Sequence, residues 1–304
     1  MPSFGTETFP ACQAALEAFE FHRLPETLDE VAALTLPLAR WPAARFGAEC
    51  ALLEHLARRR GLPVAALLAG SAAVHPVLLV NALLEGDDAA GLAQAAREAV
   101  AQGFGVVKVK VAARPLSVDA QRLLAVRRAV GPGVKIRIDA NGGWTEATAR
   151  SALRGLEALG LEVCEQPVSP GDVEGMRRLR RTVPCRIAAD ETMLVTDVLD
   201  RLLVRDPDAA ADVVVLKPAA LGGLLPSLAL ARRAASAGTD AYVTTLMDGP
   251  LSRAAAVHLA AVLPGEVWAH GLSTVELLEG VPDDALTPRG GRIHLSGEPG
   301  WGVS

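Results

Sequence analysis

From residue 77 onward the chain alternates short apolar runs with longer stretches in which apolar and polar positions are mixed. The apolar runs cover 77–84, 105–111, 134–139, 161–165, 186–189, 212–216, 239–244 and 267–270 and are bounded by Gly, Pro, Asn or Asp, as strands are. Their starts lie 28, 29, 27, 25, 26, 27 and 28 residues apart. Between them, 89–101, 118–130, 146–159 and 224–237 carry the spacing of helices that bury one face. Strands alternating with helices predict right-handed crossovers and a parallel sheet, and eight units of nearly constant period predict an α/β fold closed into a (β/α)8 TIM-type barrel. An open doubly wound sheet is the weaker alternative. The first strand-to-helix turn has no G-x-G-x-x-G, and Gly103 and Gly105 precede their strand.

Residues 1–75 read differently, as alanine-rich helices. The clearest spans 42–60: Pro42 suits a first helical turn, three arginines suit the negative end of the helix dipole, and Gly61 suits a left-handed close. After His270 the chain runs through G-L-S-T-V-E-L-L-E-G to a β-like R-I-H-L and ends in G-E-P-G-W-G. The expected organisation is a small α+β capping domain formed by residues 1–75 with the tail 273–304, around a barrel of 76–272. The two ends are expected to meet over the barrel mouth.

Half of the 304 residues are apolar, 21% are charged and the net charge is -5, which excludes a disordered chain and gives no basic footprint for nucleic acid. No apolar stretch reaches spanning length without a charge, Pro or polar residue, and no secretory leader is recognisable, so membrane insertion is not expected and a cytoplasmic location is. Cys12, Cys50, Cys164 and Cys185 are far apart and read as reduced, buried thiols. The six histidines form no metal-binding pair; His270, ending a strand, is the one placed to act. Gly142-Gly143, Gly222-Gly223 and Gly290-Gly291 are turn or helix-start glycines and not phosphate loops, although the Gly222-Gly223 amides are placed to meet a carboxylate. Oligomeric state is not legible.

The chemistry concentrates where strands end. Asp139, Glu165 and Asp190 close strands three, four and five at steps of 26 and 25 residues, and Lys217 follows 27 later. Functional groups of such barrels gather at these ends. Any one acid could be a helix N-cap, but three in one pocket repel unless a cation neutralises them. An all-carboxylate set favours Mg2+, with Mn2+ a substitute. Lys108 and Lys110, two apart on strand two, share its inward face, and burial and mutual repulsion are expected to lower a lysine pKa toward that of a base. Lys217 lies across the barrel. A cation between two lysine-bearing walls suits removal of a proton α to a carboxylate, with the enediolate charge taken up by Mg2+.

K-x-K, D-x-N-x-x-W, E-Q-P, A-D-E and L-K-P-x-x-L-G-G, in this order and at these strand positions, resemble the enolase superfamily and its muconate lactonizing enzyme branch, over nearly the whole chain from about Phe9. The resemblance implies Asp139, Glu165 and Asp190 as Mg2+ ligands, Lys110 as acid/base and Lys217 as the opposed lysine. It also implies Lys108 as a carboxylate holder that lowers the Lys110 pKa, and Asn141 and Glu191 as supporting groups. Dipeptide epimerases of the branch carry an acidic D-x-D after strand eight. Here A-H-G-L-S-T (269–274) stands there, with no carboxylate before Glu276, and is similar to the H-G-L-x-T of the o-succinylbenzoate synthases; residues 247–260 and 42–54 resemble theirs too. Thr245 and Gly271 are then substrate-side residues, and the substrate a small carboxylate without an amine.

The implied reaction is syn-dehydration of 2-succinyl-6-hydroxy-2,4-cyclohexadiene-1-carboxylate to o-succinylbenzoate, a step toward menaquinone or phylloquinone. Two alternatives stay open, a racemase of N-acylated amino acids using Lys110 and Lys217 as opposed bases, and an inert barrel serving as a scaffold. The branch's cap opens with antiparallel strands and a mobile loop, whereas Met1 falls where the first cap helix is expected, so a downstream start or a shortened lid is anticipated.

Overall fold

The computed structural model describes residues 5–205, 207–246, 249–274, 278, 280 and 283–303. Four helices come first, α1 Phe9–Glu17, α2 Leu28–Thr35, α3 Pro42–Arg59 and α4 Val64–Ala69. The strands are β1 Val77–Leu79, β2 Ala82–Leu84, β3 Val106–Lys110, β4 Lys135–Asp139, β5 Leu161–Glu165, β6 Arg186–Ala189, β7 Val213–Leu216, β8 Asp240–Val243 and β9 Arg292–His294. Between β2 and β8 run α5 Ala89–Ala101, α6 Leu116–Val130, α7 Glu146–Gly155, α8 Val173–Arg180, α9 Leu199–Leu202, α10 Pro218–Leu221 and α11 Leu224–Ser236, and α12 Pro250–Ala260 follows. No helix among the described residues is long and apolar enough to cross a membrane.

Strands β2 to β8 pair in sequence order, each parallel to the next. The sheet closes through residues 269–271: His270 donates its N–H to the Leu79 carbonyl, Asn81 to His270, Gly271 to Val243 and Thr245 to Gly271. The parallel α/β barrel expected from the repeat is therefore the observed architecture, with two differences. The eighth run is only a pair of isolated bridges, Val80 to His270 and Thr244 to Gly271. One cause is the His270 side chain, whose Nδ1 accepts the Val243 N–H at 3.1 Å in place of a backbone carbonyl. That bond fixes the proton on Nε2, and burial, with Arg137 and His75 nearby, holds the imidazole pKa down at about 3. His270 is thus a neutral closure residue and not a ligand.

The first run also divides. β1 leaves the barrel sheet and pairs antiparallel with β9, Leu78 opposite Ile293. Gly290 and Gly291 press on Gly103 and Phe104, just before β3, so this part of the tail lies at the opposite end of the barrel from the strand exits. The expectation that the tail joins a cover over the mouth is corrected for 290–294, because the unpaired edge of β1 recruits them. Farther on, Gly300 bridges to Pro63 and the Trp301 N–H reaches Glu54 at 2.8 Å, tying the end of the chain to α3 and α4.

Side chains alternate across each strand. Val80, Ala82, Leu84, Val107, Val109, Ile136, Ile138 and Cys164 face the helices in the main core. Val163, Ala188, Val213, Val215, Tyr242 and Trp268 form a separate cluster inside the barrel. The cysteines are free, three of them buried.

Helix α3 begins at Pro42, ends with Arg58 and Arg59 in its last turn, and is closed by Gly61 at φ 63°. Glu7 accepts from the Ala43 and Ala44 amides at its start. Its buried Glu49 reaches the start of α11, where Oε1 accepts from the Leu224 and Leu225 amides and Oε2 has no partner among the described residues. The carboxylate leaves room only for glycine at 223, where φ is 138°. Since α10 follows Lys217 directly, this contact seats α3 beside the exit of β7.

Burial raises the Glu49 carboxyl from 4.5 to about 7, against the pull of the Leu225 and Leu224 amides and the Arg45 charge. The folded chain keeps a proton that the unfolded chain has released, so this contribution to stability is lost as pH rises from about 4.5 to 7, by on the order of 3 kcal/mol above that window. Glu49→Gln retains an acceptor for both amides without the charge. Its thermal midpoint is expected to match the wild type near pH 5 and to exceed it near pH 8; a difference that does not grow with pH would count against the buried charge.

Candidate active site

The register of the sheet assembles the site. Lys110 is paired with Asp139, Asp139 with Glu165, and Glu165 with Ala188, which leaves Asp190 two residues beyond on the same inward face. Lys217 follows β7. Among the described residues, the non-glycine positions with positive φ are Ala112, Asn141 and Gln166, each just past the end of β3, β4 or β5. Such conformations cost of order 1–3 kcal/mol each and persist only when surroundings hold them. Ala112 is held by Asp119, whose Oδ2 accepts its N–H at 2.8 Å, while Arg122, paired with Asp119, donates to the Lys110 carbonyl. Asn141 donates its N–H to Asp139 Oδ1 at 3.0 Å. Gln166 folds back so that its carbonyl oxygen accepts from the Asp190 and Thr192 amides at 3.0 and 3.1 Å, and its Nε2 donates to the Val168 carbonyl.

Lys108 Nζ lies 3.1 Å from Asp139 Oδ2 and 3.0 Å from Glu165 Oε1. Lys110 Nζ reaches Asp139 Oδ2 at 2.7 Å and Asn141 Oδ1 at 2.8 Å, and Lys217 Nζ reaches Asp190 Oδ2 at 2.6 Å. Asn141 Nδ2 donates to Glu191 Oε1 at 2.9 Å. Lys108 and Lys217 are 12% exposed, whereas Lys110, at 47%, opens into the cavity.

Burial alone would depress the two enclosed lysines. For Lys108 it is outweighed by Glu165, Asp139 and Asp190, and for Lys217 mainly by Asp190, so both are held above their ordinary values. The lowering expected within the Lys108–Lys110 pair is corrected for Lys108: the carboxylate fields exceed the cost of burial. Burial would raise Asp139, but Lys108 and Lys110 hold it below the usual carboxylate range. Glu165 rises to about 7 through burial and the adjacent Asp139, and burial also raises Asp190.

Asp139, Glu165 and Asp190 each offer an oxygen within 4.8 Å of the other two, and all three are buried. They can hold a metal ion. The fit has independent support in Asp190 Oδ1, which is buried without a hydrogen-bond partner among the described residues. With Asp139 and Glu165 it completes an all-oxygen anionic set, which suits a hard divalent cation.

These groups form one wall of a cavity of about 600 Å3. Thr244, Thr245, Leu246, Gly271, Ser273 and Thr274 line another part. Thr245 Oγ1 donates to the Gly271 carbonyl at 3.1 Å and also meets Thr274 Oγ1. All ten residues named from the sequence, Lys108, Lys110, Asp139, Asn141, Glu165, Asp190, Glu191, Lys217, Thr245 and Gly271, therefore line this one cavity. Met247, Asp248 and Glu276 lie outside the described residues.

Sequence reasoning missed the layer beneath. The Tyr242 hydroxyl, fully buried, donates to Glu165 Oε2. Arg137 packs 5.0 Å from the Tyr242 ring, pairs with Glu162 at 2.6 Å and donates to the Ala269 carbonyl at 2.7 Å. Two-residue alternation was the available signal, since Arg137 precedes Asp139 by two and Tyr242 precedes Thr244 by two.

A model of the enolase C-terminal domain-like family matches residues 91–304. The o-succinylbenzoate synthase of Thermobifida fusca is 41% identical over 227 residues, covering 74% of this chain and 68% of that protein. Muconate cycloisomerase 1 of Pseudomonas putida is 32% identical over 263 residues, covering 86% and 69%. The crystal structure of a dipeptide epimerase from Enterococcus faecalis superposes with a TM-score of 0.89 at 25% identity, covering 100% of this chain and 88% of that one. The barrel, the carboxylate cluster at its strand ends and these similarities agree: the chain belongs to the enolase C-terminal domain-like family, in the muconate cycloisomerase branch of the enolase superfamily.

Proposed function

We propose that this enolase-superfamily enzyme is an o-succinylbenzoate synthase that dehydrates 2-succinyl-6-hydroxy-2,4-cyclohexadiene-1-carboxylate with Mg2+. The observation that carries this reading is the charge asymmetry of the cavity. Every carboxylate lining it belongs to the 139, 165, 190 and 191 group, while the part formed by Thr244, Thr245, Leu246, Gly271, Ser273 and Thr274 has none among the described residues. A substrate ammonium finds no counter-charge there, so the cavity suits a substrate built of carboxylates, a carbonyl and a ring. The 41% identity to the Thermobifida fusca o-succinylbenzoate synthase supports the same reading.

Asp139, Glu165 and Asp190 would hold the cation, with Mn2+ as a substitute. When bound, it supplies positive charge to the substrate carboxylate as the α-proton departs. Lys108 offers a second positive charge to that carboxylate. Lys110, at the open edge of the wall, is the base in its neutral form: it takes the α-proton, the C–H electrons form the ring double bond, the C–O bond to the hydroxyl breaks, and the same ammonium returns its proton to the leaving hydroxide as water. Lys217, four strand positions away around the barrel, stabilises developing negative charge from the opposite side.

That opposition of Lys110 and Lys217 also favours a second reading, racemisation of an N-succinylamino acid by two facing bases. Exchange of solvent deuterium into the α-position without dehydration distinguishes it.

Purified protein with Mg2+ is expected to bleach the cyclohexadiene absorbance and form o-succinylbenzoate, to stop on chelation and to recover with Mg2+ or Mn2+. Lys110→Ala is expected to lower kcat at least about 100-fold while still binding Mg2+. Turnover that survives chelation or this substitution overturns the assignment. For the group behind Glu165, Tyr242→Phe is expected to weaken Mg2+ binding by about 10- to 100-fold, read from the Mg2+ dependence of the thermal midpoint; unchanged affinity would remove Tyr242 from the cation site.

A further inference from the structure

Along β2 and its lead-in, Val80, Ala82 and Leu84 face the helices, and Asn81 and Leu83 alternate with them into the active-site cavity. Asn81 is 3% exposed. Its backbone is fully used, the N–H given to the His270 carbonyl and the carbonyl accepting from Ser273 Oγ at 3.0 Å. Its side-chain carboxamide is bonded to no other described residue. The amide faces the cavity, where a ligand or water can supply its partner.

The hydroxyls around it cannot take that role as donors. Thr244 and Thr245 give their protons to the Gly271 carbonyl, Ser273 to Asn81 and Thr274 to the Leu246 carbonyl. Each then presents only lone pairs to the cavity. Asn81 Nδ2 is the side-chain donor that remains among the described residues of this wall, and β2 stands four strand positions from β6, which leads to Asp190.

We infer that Asn81 is a substrate-binding residue whose Nδ2 donates to an acceptor, a second carboxylate or a carbonyl, on the part of the substrate farthest from Asp190. The inference rests on the reading of the cavity as a site for small carboxylates and adds what that reading leaves open, the group that recognises the substrate's second polar end.

The test is calorimetric titration of the wild type, Asn81→Leu and Asn81→Asp, saturated with Mg2+, using o-succinylbenzoate and 2-butylbenzoate. The two ligands share the ring carboxylate, and the second has an apolar tail with no remote acceptor. Asn81→Leu is expected to bind o-succinylbenzoate about 10- to 100-fold more weakly, as for a lost hydrogen bond to a charged group. Asn81→Asp is expected to bind it more weakly still through repulsion, and both to bind 2-butylbenzoate as the wild type does. Retention of the Mg2+-dependent rise in thermal midpoint reports that each variant is folded. Equal weakening of both ligands, or of neither, overturns the assignment of Asn81 while leaving the carboxylate site intact. Failure of the wild type to bind either ligand overturns the reading of the cavity and this inference together.

Discussion

Three carboxylates buried in one cavity set the terms for everything around them. Asp139, Glu165 and Asp190 are each at most 2% exposed, and like charges at this separation cannot all remain ionised without compensation. Compensation comes from both sides: Lys108 and Lys110 on β3 engage Asp139, and Lys217 after β7 engages Asp190. Glu165 shares Lys108 with Asp139, and burial still raises its carboxyl, as it does that of Asp190. Three lysines against the four carboxylates of 139, 165, 190 and 191 leave the pocket anionic, with one Asp190 oxygen unpartnered among the described residues, a demand that a divalent cation meets and that an apolar ligand does not.

That charge is tolerable only because the backbone beneath it does not give. Left-handed turns at Ala112, Asn141 and Gln166 steer three neighbouring strand exits, and buried side chains fix each one. Asp119 and Arg122 hold the exit of β3, Asp139 itself holds Asn141, and the Gln166 carboxamide ties the exit of β5 to the backbone at Asp190 and Thr192. Below them Arg137 links Glu162, the Tyr242 ring and the closing segment at Ala269. Glu165 is thus positioned from beneath by a barrel-interior layer joined to the last segment of the ring.

Opposite the charged wall the polar groups are arranged to spend their protons on one another's backbone. Thr244, Thr245, Ser273 and Thr274 brace β8, the closing segment and the lead-in to β2. Structural bracing and recognition share the same atoms here, because the closure has only isolated bridges in place of a full ladder. The hydroxyls supply the bonds that an eighth strand would have supplied.

The barrel and its carboxylates were legible in sequence because both follow from local periodicity. A repeat of 25 to 29 residues fixes the alternation of strand and helix, and the two-residue period within K-V-K puts Lys108 and Lys110 on one face whatever the partner strands are. Closure, splitting and support were not legible, because they depend on contacts between residues far apart in the chain. β1 left the sheet for β9, some 215 positions later, and the eighth run gave way to bridges around the His270 side chain. Glu49 found the start of α11 and Tyr242 found Glu165 across 175 and 77 residues. Which acid gains a proton, and which amide stays free, as at Asn81, likewise depends on neighbours brought together in space. The sequence by itself determined which side chains reach the strand ends; the tertiary structure decided their charge states and their partners, because burial and Coulomb fields act through space and not along the chain.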